Sequence, residues 1–233
     1  GKRGKYKMYQ TMRDAFKKSL PVFFGYLFLG IAFAITMCDA GFAPGWAILS
    51  SVIIYAGSMQ FAMVGLLRAG TGLGTIAVMT LLINSRHLFY GLSFVEAFKK
   101  MGRRYLYMIF SLTDETYSVL CTMDQPEDAK TSQSMFWVAL FDQCYWILGT
   151  IIGVILGKAL PFDTTGIDFS MTVLFVTIFI DQWETARTHT PALAGLCVAV
   201  LALAIFGANG FMLPALLATS GILIFAGRKE VQA

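Results

Sequence analysis

Charge is what this sequence has least of. Only 14% of its 233 residues are Asp, Glu, Lys or Arg, against 57% hydrophobic, and the mean hydropathy is +0.66. A soluble domain carries about 25% charged residues and at most about half apolar ones. The polar side chains here are too few to clothe a water-soluble globule, which excludes that class. Cysteine and histidine are scarce as well. Cys38, Cys121, Cys144 and Cys197 stand apart in or beside apolar runs, and there are two histidines. Without a C-x-x-C pair, a zinc or iron–sulfur site is not expected. A disulfide framework belongs to smaller, Cys-rich chains. Also missing are a Walker lysine loop, a dinucleotide glycine fingerprint, H-E-x-x-H and G-x-S-x-G. No metal, no cofactor and no enzymatic activity are expected, and ATP-driven pumping by this chain alone is disfavoured.

What the sequence has is long apolar runs. Crossing about 30 Å of hydrocarbon takes roughly 20 apolar residues in a helix. Candidate spans run at 19–38, 46–67, 73–97, 105–122, 134–158, 168–184, 191–207 and 210–227. The longest polar stretch, Met123–Ser134, divides them into halves at 19–122 and 134–227. The expected fold is an all-α, polytopic transmembrane bundle of six to eight hydrophobic segments in a single domain. It is flanked by a basic segment at 1–18 and a tail at 228–233.

Lys2, Arg3, Lys5, Lys7, Arg13, Lys17 and Lys18 put seven of the eighteen basic residues in that first segment. They fit a cytoplasmic flank under the positive-inside rule better than a nucleic-acid surface. Arg68 and Arg228–Lys229 fit the same side if eight spans alternate, but Lys99, Lys100, Arg103 and Arg104 then fall on the other. Either the bias is violated there, or one of the spans 73–97 and 105–122 is broken or re-entrant. Both carry strongly polar residues at mid-depth, where a break would be useful. SLTDETYSVL (111–120) and ALFDQCYWIL (139–148) share Leu, Asp, Tyr and Leu at matching offsets, a weak sign of internal duplication.

In hydrocarbon the informative residues are the polar ones, because a charge at mid-span costs roughly 2.5–3.5 kcal/mol on insertion scales. Tyr55, Gly57, Ser58 and Gln60 cluster in the second span. Glycine and serine there can open a helix and expose backbone amides to a ligand, or serve close helix packing. Asn84, Ser85, Arg86 and His87 lie together in the third. Arg86 cannot shed its charge, so it must meet a carboxylate, carbonyls, water or an anionic ligand. An internal ion pair and a substrate carboxylate both suit its fork. His87 can be a neutral hydrogen-bond donor or a proton carrier.

Asp114 and Glu115 sit at mid-depth in 105–122 and, being adjacent, point to different partners. One could neutralise Arg86, and the other could hold an ammonium group or a coupling proton. Asp142 and Gln143 join Tyr145 and Trp146 in the fifth span, as a charge-compensating group or an interfacial anchor. Asp181, Gln182, Glu184, Arg187 and His189 end a span and read as a solvated boundary. Met59, Phe61, Met63 and Phe89, near the polar clusters, could line an adaptable apolar pocket.

Several motifs in order carry a family likeness: Ser19-Leu-Pro21 through Gly25–Gly30, Tyr55-Ala-Gly-Ser-Met-Gln-Phe61, Asn84-Ser-Arg-His-Leu-Phe-Tyr-Gly91, and Leu112-Thr-Asp-Glu-Thr-Tyr117. Together they resemble the AzlC family, the large subunit of bacterial branched-chain amino acid exporters (YgaZ-like permeases). The second half has no comparable motif. The carboxyls within the spans make a proton a candidate coupling ion; the resemblance implies export of Leu, Ile, Val or Met across the bacterial cytoplasmic membrane. It also implies a small, separately encoded membrane subunit of the AzlD type, and no nucleic-acid partner. Under it, Tyr55, Gly57, Ser58, Gln60, Asn84, Arg86 and His87 are the candidate substrate-binding residues. Asp114, Glu115 and Asp142 are the candidate coupling or charge-compensating ones. A channel or a non-transporting subunit of a membrane complex is the alternative, and an intramembrane hydrolase using Ser58 or Ser85 a remote one.

Overall fold

The computed structural model describes residues 2–123, 129–159, 168–186, 188–207 and 211–231, and among them every regular element is helical. The chain divides into two compact units, Gly1–Arg68 with Asn84–Met171, and Ala69–Ile83 with Thr172–Ala233. The side chains of Asp181 and Gln182, Arg187, residues 161–167, and the side chains of Phe89, Arg228 and Lys229 lie outside the described residues.

The first unit is built on two long helices, α1 (Lys2–Asp39) and α7 (Ala129–Ala159). Each has an apolar stretch long enough to cross a membrane. The basic segment at 2–18 is helical and continuous with α1. Gly149 and Gly153 recur at the four-residue spacing that lets helix backbones touch. A Cβ at Gly153 would fall 2.5 Å from the Ile31 carbonyl oxygen, and one at Gly149 2.6 Å from that of Leu27. Gly30 returns the contact from α1, where a Cβ would lie 2.8 Å from the Trp146 carbonyl oxygen.

Two of the apolar segments are broken. The first contains α2 (Pro44–Ile53) and α3 (Gly57–Arg68), separated at 54–56. Tyr55 holds φ at +45°, a left-handed conformation rare for a bulky side chain, and this turns the chain between the halves. Gln60 closes the gap. Its Nε2 donates to the Ser50 and Ser51 hydroxyls, both at 3.3 Å, and its Oε1 accepts from the Ala56 N–H at 3.2 Å.

The second broken segment contains α5 (Tyr105–Phe110) and α6 (Asp114–Cys121), parted at 111–113. Thr113 caps α6, its hydroxyl accepting from the Thr116 N–H at 3.3 Å. Between these segments α4 (Leu73–Lys99) runs unbroken. Of the two spans, one of which was expected to be broken or re-entrant, 105–122 has a break and 73–97 does not. Arg86 of α4 finds its partners on α3 and α6, so its charge is met without opening the backbone. Lys99, Lys100, Arg103 and Arg104 lie exposed between α4 and α5, with the Arg104 guanidinium 4.5 Å above the Phe136 ring.

In the second unit, α8 (Asp168–Thr185) precedes a hairpin of α9 (Thr190–Phe206) and α10 (Met212–Val231). A glycine at φ +70°, Gly207, ends α9. Glu184 and His189 are exposed, His189 stacked on Trp183 at 3.9 Å between ring centroids.

The burial pattern of the first unit inverts that of a soluble protein. Phe24, Phe28, Leu88, Leu92 and Ile155 face outward, whereas Ser51, Gln60, Thr116, Asp142 and Thr150 are buried. An apolar exterior of this extent is suited to lipid rather than water.

Candidate functional site

Three helices meet at Arg86. Its Nε donates to Asp114 Oδ1 at 2.8 Å, and its Nη2 donates to Asp114 Oδ2 at 2.7 Å and to Ser58 Oγ at 2.8 Å. The carboxylate contact is bidentate, the strongest form of ion pair in geometry and energy. Ser58 is the second residue of α3 and Asp114 the first of α6, so one guanidinium joins the openings of both half-helices. Of the two adjacent acids, Asp114 is therefore the partner of Arg86. The pair is not sealed: the two side chains are 27% and 23% exposed. Tyr90 and Tyr117, one turn beyond Arg86 and Asp114 on their helices, stack with ring centroids 4.3 Å apart.

Glu115 turns the other way. Its Oε2 accepts from the Tyr26 hydroxyl at 2.7 Å, and that hydroxyl lies 2.6 Å from the Thr113 hydroxyl. Thr113 Oγ1 is 3.1 Å from Thr116 Oγ1, which is 2.8 Å from Asp142 Oδ2. Five side chains from α1, α6, its cap and α7 thus form one polar line between two carboxyls. Asp142 is fully buried, and its Oδ1 has no hydrogen-bond partner among the described residues.

The remaining candidates are dispersed. Tyr55 is buried at the break, edge-on to Tyr26 at 6.3 Å, and its hydroxyl has no partner among the described residues. Gly57 starts α3 against the Trp146 ring, where a Cβ would come within 3.3 Å. Gln60 is occupied in closing the α2–α3 gap. Asn84 keeps its Oδ1 buried without a partner among the described residues, and His87 packs beside Tyr90 at 5.9 Å. Gln143 accepts from the Tyr107 hydroxyl at 2.8 Å and donates to the Val52 carbonyl at 3.1 Å, tying α7 to α5 and α2. Among the described residues no three His, Cys, Asp or Glu side chains converge as a metal site would require.

Tyr26, Thr113 and Thr116 belong to the site although sequence reasoning gave them no role. A signal for Thr113 was present, since a threonine followed by two acids is a helix-start pattern. Tyr26, alone in an apolar run, offered only its hydroxyl.

Residues 21–160 match the family model described as AzlC protein. The chain belongs to the AzlC family. The matched stretch contains both the Arg86 ion pair and the polar line to Asp142. Relatives extend the likeness over nearly the whole chain. A Bacillus subtilis (strain 168) protein named "Branched-chain amino acid transport protein AzlC" is 40% identical over 217 residues, covering 93% of this chain and 85% of its own length. An "Uncharacterized membrane protein" of Helicobacter pylori (strain J99) is 34% identical over 224 residues, 96% of this AzlC-family chain and 97% of that protein. The "Inner membrane protein YgaZ" of Escherichia coli (strain K12) is 28% identical over 214 residues, 88% and 84% of the two chains. No solved structure matches the chain.

Proposed function

We propose that this chain is a secondary transporter that exports branched-chain or similar apolar amino acids (Leu, Ile, Val or Met) across the bacterial cytoplasmic membrane. A small membrane subunit of the AzlD type is its partner. The printed name of the Bacillus subtilis relative supports the substrate class. The eight helical segments, with α2–α3 and α5–α6 each counted as one, are the six to eight crossings or re-entrant spans of the bundle.

The observation that carries the reading is the partly exposed Arg86–Asp114 pair at the openings of two broken helices. An amino-acid zwitterion brings one carboxylate and one ammonium. Its carboxylate takes the place of Asp114 on the Arg86 fork, and Asp114, so released, receives the ammonium. Two ion pairs replace one and no unpaired charge is left, which avoids the several kcal/mol that a lone ion costs away from water. Ser58 and the first-turn N–H groups of α3, which have no acceptor within their own helix, add donors for the carboxylate. The stacked Tyr90 and Tyr117 rings flank the Arg86–Asp114 pair one turn away.

Leucine efflux from preloaded cells tests this. Arg86→Ala at matched expression loses export; efflux equal to wild type overturns the assignment. Saturable counterflow in proteoliposomes, with and without the small subunit, separates a carrier from a channel.

A further inference from the structure

The line from Glu115 to Asp142 has a hydrogen deficit. It contains four oxygen–oxygen contacts: Glu115 to Tyr26 at 2.7 Å, Tyr26 to Thr113 at 2.6 Å, Thr113 to Thr116 at 3.1 Å and Thr116 to Asp142 at 2.8 Å. Only the three hydroxyls of Tyr26, Thr113 and Thr116 supply hydrogens, one each. With both carboxyls ionised, one contact is left with two oxygens and nothing between them, in a region where a lost hydrogen bond is costly. One added proton completes all four.

That proton has two places to sit. On Glu115, it donates to Tyr26, and the hydroxyls point in turn at Thr113, Thr116 and the Asp142 carboxylate. On Asp142, it donates to Thr116, and the hydroxyls reverse to end on the Glu115 carboxylate. Each hydroxyl passes its hydrogen on and receives another, so moving one proton end to end breaks and forms equal numbers of O–H bonds. Hydroxyl rotation then resets the line. Thr113 retains a lone pair for the Thr116 N–H in both arrangements.

The surroundings favour one charge on the line, not two. The ionisable groups acting on Asp142 are Tyr26 from α1, Tyr55 from the α2–α3 break, Tyr107 from α5, Glu115 from α6 and Tyr145 on its own helix. None is a cation, and Asp142 has no ion pair among the described residues. At the other end, Glu115 follows Asp114 in α6, so the line ends one residue from the acid that pairs with Arg86.

We propose that Glu115 and Asp142 share a single proton through Tyr26, Thr113 and Thr116, and that this relay couples proton movement to amino-acid transport. The coupling half rests on the transporter reading above; the shared proton does not.

Two measurements keep them apart. Infrared difference spectra of the purified protein at neutral pH should show a protonated-carboxyl stretch. It should be lost in the Glu115→Gln/Asp142→Asn double variant, shifted in Thr116→Val and restored in Thr116→Ser. A band unchanged in the double variant overturns the relay. In proteoliposomes, Thr116→Val should lose the leucine accumulation driven by an imposed pH gradient, with Thr116→Ser recovering it. Wild-type counterflow with no response to the gradient overturns the coupling. Absent wild-type counterflow overturns the transporter reading, while the infrared band still decides the shared proton.

Discussion

Arg86 and Asp114, 28 residues apart in sequence, face each other with two parallel N–H to oxygen contacts of 2.8 and 2.7 Å. Lysine keeps the charge but cannot form the fork or reach Ser58 at the same time. Arg86→Lys should therefore lose one charge-assisted bond, worth about 1.5–3 kcal/mol. Export should fall roughly 10- to 100-fold at equal expression, at about 1.4 kcal/mol per decade. Leucine efflux within twofold of wild type would count against it.

Removing one partner of this pair strands the other. Arg86→Ala and Asp114→Ala should each lower the thermal stability of the detergent-solubilised protein more than the double substitution does. Strictly additive losses would mean that the two side chains do not interact energetically.

At the α1–α7 contact, Gly153→Ala places a methyl group 2.5 Å from a backbone carbonyl that cannot step aside. Overpacking of this kind costs about 1–3 kcal/mol. Gly65→Ala, a helical glycine with nothing within 4 Å of the added atom, should instead be neutral or stabilising. Melting temperatures of the two variants should move apart, and similar values would remove the close contact.

Gln60→Leu leaves the Ala56 N–H without its acceptor inside the fold, at about 1–3 kcal/mol. Gln60→Glu keeps an acceptor oxygen but loses the donors to Ser50 and Ser51. The expected order of thermal stability is wild type, Gln60→Glu, Gln60→Leu, and an inverted order would contradict the contacts at the break.

Tyr55 combines an unfavourable backbone with a useful ring. Tyr55→Gly relieves about 1–2 kcal/mol of left-handed strain but deletes a buried aromatic side chain worth about 3–5 kcal/mol. It should be less stable than wild type. Tyr55→Phe removes only an unpartnered hydroxyl and should be at least as stable. Melting curves of both variants check the balance.

The apolar runs read from sequence coincide closely with the helical segments, because hydrocarbon-length runs leave little choice of element. Arg86 was legible for the same reason: a guanidinium in a span must have a partner, and the candidates were few. Location of the breaks was less so. Asn84–His87 suggested a break that α4 does not have, since sequence cannot show that Ser58 and Asp114 arrive from elsewhere. Gly57 was read either as a place where the helix opens or as a close-packing position; its missing Cβ makes room for the Trp146 ring, directly after the break at 54–56. Tyr26, Thr113 and Thr116 stayed hidden because a single hydroxyl in a span is unremarkable. Only the fold brings Tyr26 to Thr113, 87 residues away.

The short halves α3 and α6 begin at the same cation but are anchored differently. Gln60 sutures α3 to α2, while α6 is moored sideways, to α1 through Glu115 and Tyr26 and to α7 through Thr116 and Asp142. A displacement of α4 would thus withdraw one peg from two stubs in a single event, leaving α3 held by its own break and α6 by the carboxyl line.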